Sequence, residues 1–387
     1  MTRVLLAGVS TRGFAESAAR AGYEVVAVDG FGDLDLRACA AEVRVVRVDG
    51  RFSPRAAAAA VRDVRCDAAV YESSFDNHPG AVRALAADRT LWGNAPVVVT
   101  RARDPRRLAR VLRDAGVPGP RVRFTRPPAR EGSRWMLKPL RSGGGQGVAV
   151  WRRSDRGRVP RGMYFQQRIA GIAGSIVFAA NGRDAVPLGL SRILAGEARF
   201  GADGFRYCGN ILAPAGDAQF PGDDRLFAGA TLLARVVTRA FGLVGVNGVD
   251  FIAHRGLPHA IEVNPRYTAA MELVERAYGV SVFDVHARAC GGVLPAFDLA
   301  AARRRAPEAV GKAILYARRP IALGDTRPWL ADGDLRDISP PDTTFAERDP
   351  ICTIFARGRS AGACLSALAR RAGGLYRDLA GREARSA

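Results

Sequence analysis

Residues 135–147 read WMLKPLRSGGGQG, a hydrophobic strand pattern that carries a lysine and is followed by four glycines within five positions. Lys138 is one of only two lysines among the 58 basic residues of the chain, so arginine stands at nearly every other basic position. A lysine offers a compact charge with three rotatable donors, and glycines let backbone N–H groups approach phosphate oxygens. The stretch therefore predicts a phosphate-binding loop. The alternative is a tight hairpin turn in which Lys138 is incidental.

Length and composition favour a multidomain cytoplasmic protein. At 387 residues the chain exceeds the roughly 250 to 300 residues at which a single core stops growing, which predicts two or three domains. No apolar run approaches the roughly 18 residues of a membrane span, and the short run before Arg12 is typical of a first strand rather than of a signal peptide. We therefore expect a cytoplasmic location and no membrane partner.

The formal net charge of +20 raises the hypothesis of nucleic-acid binding, above all through the arginine-rich segment 101–134. The arginines are spread over the whole chain, however, and much of that segment follows a helical pattern with an apolar face. No nucleic-acid partner is therefore expected, whereas anionic small molecules remain plausible substrates. Six scattered cysteines without a Cys-x-x-Cys pair and four scattered histidines argue against a zinc site.

The order of predicted elements divides the chain. Up to residue 95, strand patterns (4–9, 24–28, 43–48, 67–71) alternate with helical ones (14–21, 54–62), which predicts a parallel, doubly wound sheet. The first turn lacks the Gly-x-Gly-x-x-Gly fingerprint of dinucleotide sites. Asp29, at the end of the second strand, is a weaker ribose-contact candidate for that reason. Glu72, at the carboxyl end of the fourth strand, is the better candidate for a substrate contact.

Beyond residue 95 the pattern changes to mostly antiparallel strands. These are predicted at 135–138, 147–151, 163–169, 175–180 and 186–193, with helices at 104–115 and 223–241. After Gly292 the sequence is rich in Pro, Arg and Asp, with short strands at 312–317 and 352–356. We interpret this last part as a small third domain.

A second group of polar residues lies on a predicted hairpin. Asp250 interrupts an apolar strand, and after a turn the chain returns through Glu262, Asn264 and Arg266. Residues two apart on a strand share a face, so Glu262 and Asn264 point the same way, and a hairpin brings Asp250 to them. Two carboxylates and a carboxamide oxygen suit Mg²⁺ held with nucleotide phosphates, and Arg266 suits an anionic oxygen. The alternative is an edge hairpin with solvated polar residues.

The Lys-Pro strand, the glycine loop, the Gln-Gln-x-Ile-x-Gly strand at 166–171 and the Asp…Glu-x-Asn-Pro-Arg hairpin occur in the order seen in the ATP-grasp superfamily, which the chain resembles over about residues 1–300. The resemblance implies a mixed α/β (α+β) fold. It implies a Rossmann-like domain (1–95), an ATP-grasp domain (96–300) with a small (96–170) and a large (171–300) subdomain, and a small β-rich C-terminal domain (305–387).

The resemblance also implies roles for individual residues. ATP would be bound by Lys138, Ser142, Gly143, Gly144, Gly145, Gly147, Gln166, Gln167 and Ile169. Asp250, Glu262 and Asn264 would hold Mg²⁺, for which Mn²⁺ is an alternative. Arg266 would act with Lys138 in catalysis. Glu72, Arg192, Arg206 and Tyr207 are candidates for substrate contacts.

The implied activity is that of an ATP- and Mg²⁺-dependent carboxylate–amine ligase that forms an amide through an acyl phosphate. Its partners would be small-molecule substrates, and the resemblance is compatible with a homodimer. Motifs such as Leu91-Trp92-Gly93-Asn94 resemble a subgroup associated with bacterial tetrahydromethanopterin and methanofuran one-carbon metabolism, whose ligases join glutamate to an amine such as tyramine. Members of the superfamily usually carry an additional lysine after an aspartate at the start of the helix that precedes the Gly-x-Pro segment. Here that aspartate corresponds to Asp104-Pro105, and only arginines lie nearby: Arg101, Arg103 and Arg106. Gln167 also replaces a common glutamate. A regulatory or inactive nucleotide-binding scaffold is therefore the alternative.

Overall fold

The computed structural model describes residues 1–152 and 159–386. The N-terminal elements are β1 (Arg3–Ala7), α1 (Arg12–Arg20), β2 (Glu24–Asp29), α2 (Leu34–Cys39), β3 (Glu42–Val45), α3 (Pro54–Ala60), β4 (Ala68–Tyr71), a 3₁₀ turn (Phe75–Asn77), α4 (Pro79–Leu85) and β5 (Thr90–Leu91). The five strands form one parallel sheet in the order β3-β2-β1-β4-β5. The predicted doubly wound parallel sheet is confirmed, although α2, α4 and β5 were not predicted.

The strands of this sheet are apolar on both sides because helices cover both of its faces. Its continuous apolar runs pack against Phe14 and Ala18 of α1 on one face and against Ala57 of α3 and Leu85 of α4 on the other. The sheet order brings the carboxyl ends of β2, β1 and β4 together, which is where open parallel sheets bind ligands. This edge therefore faces the site described below.

The next elements form a small antiparallel layer. They are α5 (Pro96–Ala102), α6 (Pro105–Asp114), β6 (Val122–Arg123), a 3₁₀ segment (Ala129–Arg134), β7 (Trp135–Pro139), β8 (Ala149–Val150) and β9 (Met163–Gln167), and the strand order is β6-β9-β7-β8. Asp104 caps α6, because its side chain accepts from Arg106 N at 2.8 Å and Pro105 occupies the first turn, where no N–H partner is needed. The residue just before this cap, Arg103, is thereby fixed between two helices.

The large sheet has eight strands in the order β14-β13-β10-β11-β12-β15-β19-β17. Its strands are β10 (Ile172–Asn181), β11 (Ala185–Ala195), β12 (Tyr207–Leu212), β13 (Val244–His254), β14 (Leu257–Asn264), β15 (Ala309–Tyr316), β17 (Leu335–Arg336) and β19 (Pro350–Gly358), and β16 (Ile321–Ala322) pairs separately with β18 (Thr344–Phe345). Helix α7 (Asp223–Phe241) has the predicted bounds, and its apolar stripe from Leu226 to Phe241 covers one face of the sheet.

The C-terminal third of the chain continues this large sheet. Strand β15 pairs with β12, and β19 pairs with β15, so the strands predicted near 312 and 352 are added to the sheet of the preceding subdomain. The remaining helices are α8 (Met271–Tyr278), α9 (Val282–Cys290), α10 (Leu299–Arg305), a 3₁₀ turn (Arg327–Ala331) and α11 (Ala361–Ser386). None of these four helices was predicted, and α11 packs Cys364 and Leu368 into the core beside β15. The domain boundaries themselves stay predictions.

A buried ion network joins the three parts. Glu272 of α8 accepts from Lys312 Nζ of β15 at 2.6 Å and is also paired with Arg12 at the start of α1. Arg12 Nε in turn lies 2.9 Å from Asp337 Oδ1 in the C-terminal part. Arg12 and Lys312 hold the pKa of Glu272 well below its ordinary value despite burial, which acts in the opposite direction.

Among the described residues, no helix combines the length and the hydrophobicity that crossing a membrane would require.

Candidate functional site: a nucleotide and metal cleft

The predicted hairpin is confirmed and sets the metal-binding candidates side by side. Strands β13 and β14 are antiparallel, and Arg255 and Gly256 make the two-residue turn with φ of 50° and 71°. Asp250 lies directly opposite Glu262, and Asn264 Nδ2 donates to Asp250 Oδ2 at 3.0 Å. The register therefore brings two carboxylates and one carboxamide to the same face of the sheet, as predicted.

The two carboxylates differ in electrostatic environment. Burial, reinforced by the charge of Glu262, raises the pKa of Asp250 to about 6. Burial also acts to raise the pKa of Glu262, but Arg103 and Lys138 outweigh it and hold that pKa below its ordinary value. Glu262 therefore carries its charge at neutral pH with cations as its neighbours.

This donor set fits Mg²⁺. The described part of the chain holds no group of three or more His, Cys, Asp or Glu side chains suited to a metal ion. A metal at the hairpin would therefore use the two carboxylates with the carboxamide oxygen of Asn264, whose amide nitrogen is already engaged by Asp250. Such a set of hard oxygen ligands leaves coordination positions for phosphate oxygens and water, which is the usual mode of Mg²⁺ in nucleotide sites.

Lys138 lies on the opposite side of the same cleft, on β7. Its ammonium donates to Gln166 Oε1 at 3.2 Å, and Gln166 Nε2 donates to Ile261 O on β14 at 3.0 Å. Burial lowers the pKa of Lys138, and the charge of Arg103 lowers it further, although Glu262 opposes both. Gln166 thus links the small sheet to the hairpin, while Lys138 stays beside the carboxylates. The cleft is lined by Lys138, Ser142, Tyr164 and Glu262, among others.

The glycine loop closes onto the start of β12 in the large sheet. Tyr207 N donates to Gly144 O at 2.9 Å, and Gln146 N donates to Gly143 O at 3.2 Å within the loop. Gly145 has φ of +76°, and a Cβ there would lie 1.8 Å from Phe205 O. Only glycine permits this conformation together with such a close backbone approach. The glycines therefore serve loop closure, and Gly143 and Gly144 remain exposed.

Arg103 is the central residue that the sequence analysis did not assign. Its Nη1 donates to Glu262, and its Nη2 donates to Asn77 Oδ1 and to Ser142 O, each at 3.0 Å. One guanidinium thus contacts the N-terminal domain, the start of the glycine loop and the metal-binding candidate. Arginine is so abundant in this sequence that only its position directly before the Asp104-Pro105 cap could have singled it out.

Arg266 is held beside a second acid that sequence reasoning missed. Its Nε lies 3.2 Å from Asp76 Oδ2, and its Nη1 donates to Tyr267 O at 2.8 Å. Asp76 is buried, and its carboxylate accepts no hydrogen bond from the residues that the structure describes. The carbonyl that precedes Arg266, Pro265 O, accepts from Tyr71 OH at 2.9 Å, which fixes the hairpin end against β4. The sequence offered only one hint of Asp76, its position four residues after Glu72.

Glu72 is buried with an unpaired oxygen. It is 3% exposed, and within the described part of the chain its Oε1 has no hydrogen-bond partner. Burial and the charge of Asp29 raise the pKa of Glu72 well above its ordinary value, while Arg266 and Arg12 act in the opposite direction. Asp29, by contrast, accepts hydrogen bonds from Thr11 Oγ1 at 2.9 Å and from three backbone N–H groups. Asp29 therefore serves the local turn, and Glu72 remains a candidate for a ligand contact.

The other predicted residues are less closely grouped. Gln167 Oε1 accepts from Arg121 N at 3.2 Å, and Ile169 lies just beyond the end of β9. Arg206 donates to Arg348 O at 2.9 Å, and Tyr207 donates to Asn210.

Arg192 lies away from the metal-binding candidates. Its neighbour Ser191 pairs with Ser175, which pairs with Asp250, so these three residues share a face of the large sheet. Arg192 therefore lies on the opposite face.

Comparisons with known proteins agree with this arrangement. Residues 102–270 match the family model described as an ATP-grasp domain. None of the curated proteins matches the sequence.

Similar solved structures cover nearly the whole chain. Biotin carboxylase from Campylobacter jejuni, solved as a beta-gamma-ATP complex, has a TM-score of 0.71 and 14% identity over 94% of this chain and 89% of its own. N5-carboxyaminoimidazole ribonucleotide synthetase from Thermus thermophilus has a TM-score of 0.66 and 17% identity over 95% and 97%. The biotin carboxylase domain of the Hydrogenobacter thermophilus 2-oxoglutarate carboxylase, a dimer with MgADP, ADP and bicarbonate, has a TM-score of 0.66 and 15% identity over 93% and 86%.

The three-part architecture, the cleft between the two sheets and the matched segment point to the same conclusion. The chain has the mixed α/β ATP-grasp fold, and residues 102–270 are the part that matches the model of an ATP-grasp domain.

Proposed function

We propose that the protein is an ATP- and Mg²⁺-dependent carboxylate–amine ligase. The observation that carries this proposal is one cleft in which Lys138 and Arg103 face the Asp250–Glu262 pair, with Arg266 at the end of the same hairpin. The solved structures that the fold resembles include beta-gamma-ATP and MgADP complexes, which supports a nucleotide in this cleft.

The reaction divides into two steps. A carboxylate oxygen of the acid attacks the γ-phosphorus of ATP, the bond to the β,γ-bridging oxygen breaks, and ADP leaves. An amine nitrogen then attacks the carbonyl carbon of the acyl phosphate, phosphate leaves, and an amide results. Lys138 and Arg103 neutralise the charge that develops on the phosphoryl group, and Arg266 neutralises the acyl phosphate. Mg²⁺, held by Asp250, Glu262 and Asn264, would supply further charge neutralisation.

Glu72 is our proposed contact for the amine. An amine is bound as an ammonium ion and must lose a proton before it attacks, and a buried carboxylate with a raised pKa is suited to hold the ammonium and accept that proton. Its electrostatic coupling to Arg266 places it near the end of the hairpin where the acyl phosphate would be held. The resemblance to the methanofuran-associated subgroup supports glutamate as the acid and an amine such as tyramine as the nucleophile.

The direct test is ADP release with MgATP across a panel of amino acids and amines that includes glutamate and tyramine. Turnover that requires both an acid and an amine, with amide product identified by mass spectrometry, would support the ligase. ATP binding by calorimetry without turnover on any pair would instead support a nucleotide-binding scaffold. A protein that binds no nucleotide at all would contradict both.

Lys138→Met is expected to weaken ATP binding by about a hundredfold, because a charge-assisted contact to phosphate is lost from a site with little water. Met keeps the length of the side chain, and the hydrogen bond given up within the protein is the one to Gln166. The melting temperature of the variant alone should therefore stay close to that of the wild type. Calorimetry with an ATP analogue measures the affinity.

Arg134→Met provides the matched control, since Arg134 is exposed immediately before the same strand. It should bind nucleotide like the wild type. Equal affinities for Lys138→Met and the wild type would remove Lys138 from the phosphate site.

Glu72→Gln is expected to raise the KM for the amine by about tenfold or more while ATP affinity stays unchanged, because the variant cannot pair with an ammonium ion. It should melt no lower than the wild type at pH 7, because burial disfavours the charged carboxylate that it replaces. Steady-state kinetics with the amine varied at saturating ATP and acid provide the measurement. An unchanged KM and kcat would exclude Glu72 from the amine site.

A further inference from the structure

The contact between Arg103 and Glu262 bears on how the metal ion enters the cleft. A guanidinium bound to one oxygen of Glu262 occupies part of the coordination space that Mg²⁺ requires, and its charge repels a divalent cation. Arg103 is held between α5 and the Asp104 cap of α6, so its backbone cannot easily withdraw from the cleft. The Arg103 guanidinium and a bound Mg²⁺ would therefore both need the carboxylate of Glu262.

The charges around Glu262 disfavour a divalent ion that binds without nucleotide. Three cations, Arg103, Lys138 and Arg266, act on Glu262, and three acids lie among them, namely Glu262 itself, Asp250 and Asp76. The group is thus formally balanced. A divalent ion alone would leave an excess of two positive charges in a largely buried cleft, which is costly. A divalent ion that arrives with nucleotide phosphates brings the compensating negative charge.

The remaining contacts of Arg103 show where its guanidinium would go. Nη2 donates to Ser142 O at the start of the glycine loop and to Asn77 Oδ1, and Asn77 Nδ2 also donates to Ser142 O at 3.2 Å. Nη2 is therefore anchored at the loop where the phosphates are proposed to bind. Nε has no hydrogen-bond partner among the described residues and lies 3.8 Å from Asp76. A rotation about this anchor would take Nη1 away from Glu262 while Nη2 keeps its contacts at the glycine loop.

We propose that Arg103 competes with the divalent cation for Glu262, and that nucleotide phosphates relieve this competition by offering the guanidinium another anion, so that the metal binds together with the nucleotide rather than before it. The proposal rests on the nucleotide site of the proposed function. It gives Arg103 control over the order in which the metal ion and the nucleotide bind.

The test measures Mn²⁺ binding to the full-length protein by the electron paramagnetic resonance signal of free Mn²⁺, with and without ADP. Arg103→Gln removes the charge but keeps an amide donor for Ser142 or Asn77. It should bind Mn²⁺ at least about tenfold more tightly than the wild type when no nucleotide is added. With ADP present the two proteins should bind Mn²⁺ with similar affinity. ADP relieves the competition in the wild type, and Arg103→Gln lacks the phosphate contact of Arg103.

Two further variants separate charge from shape and from general surface effects. Arg103→Lys keeps the charge but loses the planar fork, and it should exclude Mn²⁺ nearly as well as the wild type. Arg101→Gln removes an exposed arginine from α5, the helix that ends just before Arg103, and should change nothing. Circular dichroism and melting curves confirm that each variant is folded.

Equal Mn²⁺ affinities for Arg103→Gln and the wild type without nucleotide would overturn the proposal, even if MgATP binding and turnover are intact. Tighter Mn²⁺ binding by Arg103→Lys than by the wild type would also overturn it, because the charge would then not be the cause. Conversely, if the wild type binds no nucleotide but Arg103→Gln gains Mn²⁺ affinity, the competition at Glu262 stands and the proposed ligase function fails.

Discussion

Glu262→Gln is expected to lower ATP-dependent turnover by about a thousandfold, as is typical when a group that stabilises transition-state charge is removed. Glutamine keeps the size of the side chain but cannot supply the negative charge that Mg²⁺ needs beside Asp250. The substitution also deprives Arg103 and Lys138 of the anion to which both are coupled. The loss should therefore appear in kcat and in the metal concentration required for half-maximal rate.

The measurement is ADP release at saturating ATP, acid and amine, titrated with Mg²⁺. Glu347→Gln is the matched control, since Glu347 is an exposed glutamate far along the chain, 4.0 Å from Arg348 in a surface pair. It should turn over at the wild-type rate. If Glu262→Gln is folded, as judged by its melting curve, and retains the wild-type rate, the hairpin is not the metal site.

Glu272→Gln is expected to destabilise the protein by about 3–5 kcal/mol, the usual cost of removing one member of a buried ion pair. Lys312 and Arg12 would stay buried, and Lys312 would lose the carboxylate that its ammonium contacts at 2.6 Å. Since folded proteins are stable by only about 5–15 kcal/mol, this is a large fraction of the total. Urea unfolding followed by circular dichroism measures the difference.

The pH dependence provides a second readout for Glu272. The folded-state pKa of Glu272 is depressed, so its stabilising contribution is fully present above its ordinary pKa of 4.5 and is lost as the pH falls toward the folded-state value. The difference in unfolding free energy between the wild type and Glu272→Gln should therefore be constant near neutrality and shrink below pH 4.5. A gap that is the same at about pH 3.5 as at about pH 7, or no gap at either pH, would contradict a charge-based role.

An exposed ion pair provides the control for Glu272. Asp184 and Arg239 lie 3.0 Å apart on the surface, and both side chains are more than half exposed. Asp184→Asn should change stability by less than about 1 kcal/mol, since solvent and salt screen such pairs. The double substitution Glu272→Gln with Lys312→Met should recover part of the loss, because it no longer leaves an ammonium buried without its partner.

The sequence by itself determined the features that depend on contiguous segments. Alternating strand and helix patterns predicted the parallel N-terminal sheet, and the apolar spacing of residues 223–241 predicted the bounds of α7. The side chains of Glu262 and Asn264 were placed on one face by the two-residue period of a strand, and the short turn at Arg255-Gly256 brought Asp250 opposite them. These are local rules, so neighbouring residues were sufficient to apply them.

The tertiary structure alone decided which distant residues complete the site. Arg103, Asp76 and Asn77 meet Glu262 and Ser142 only because three separate layers converge on one cleft, and 58 basic residues gave no reason to select this arginine beforehand. Strand register likewise places Arg192 on the face of the large sheet opposite the metal-binding candidates. Strand pairing makes β15 and β19 part of that sheet. Such contacts join residues far apart in the chain, and the free energy that selects them arises from burial and charge pairing in the assembled core.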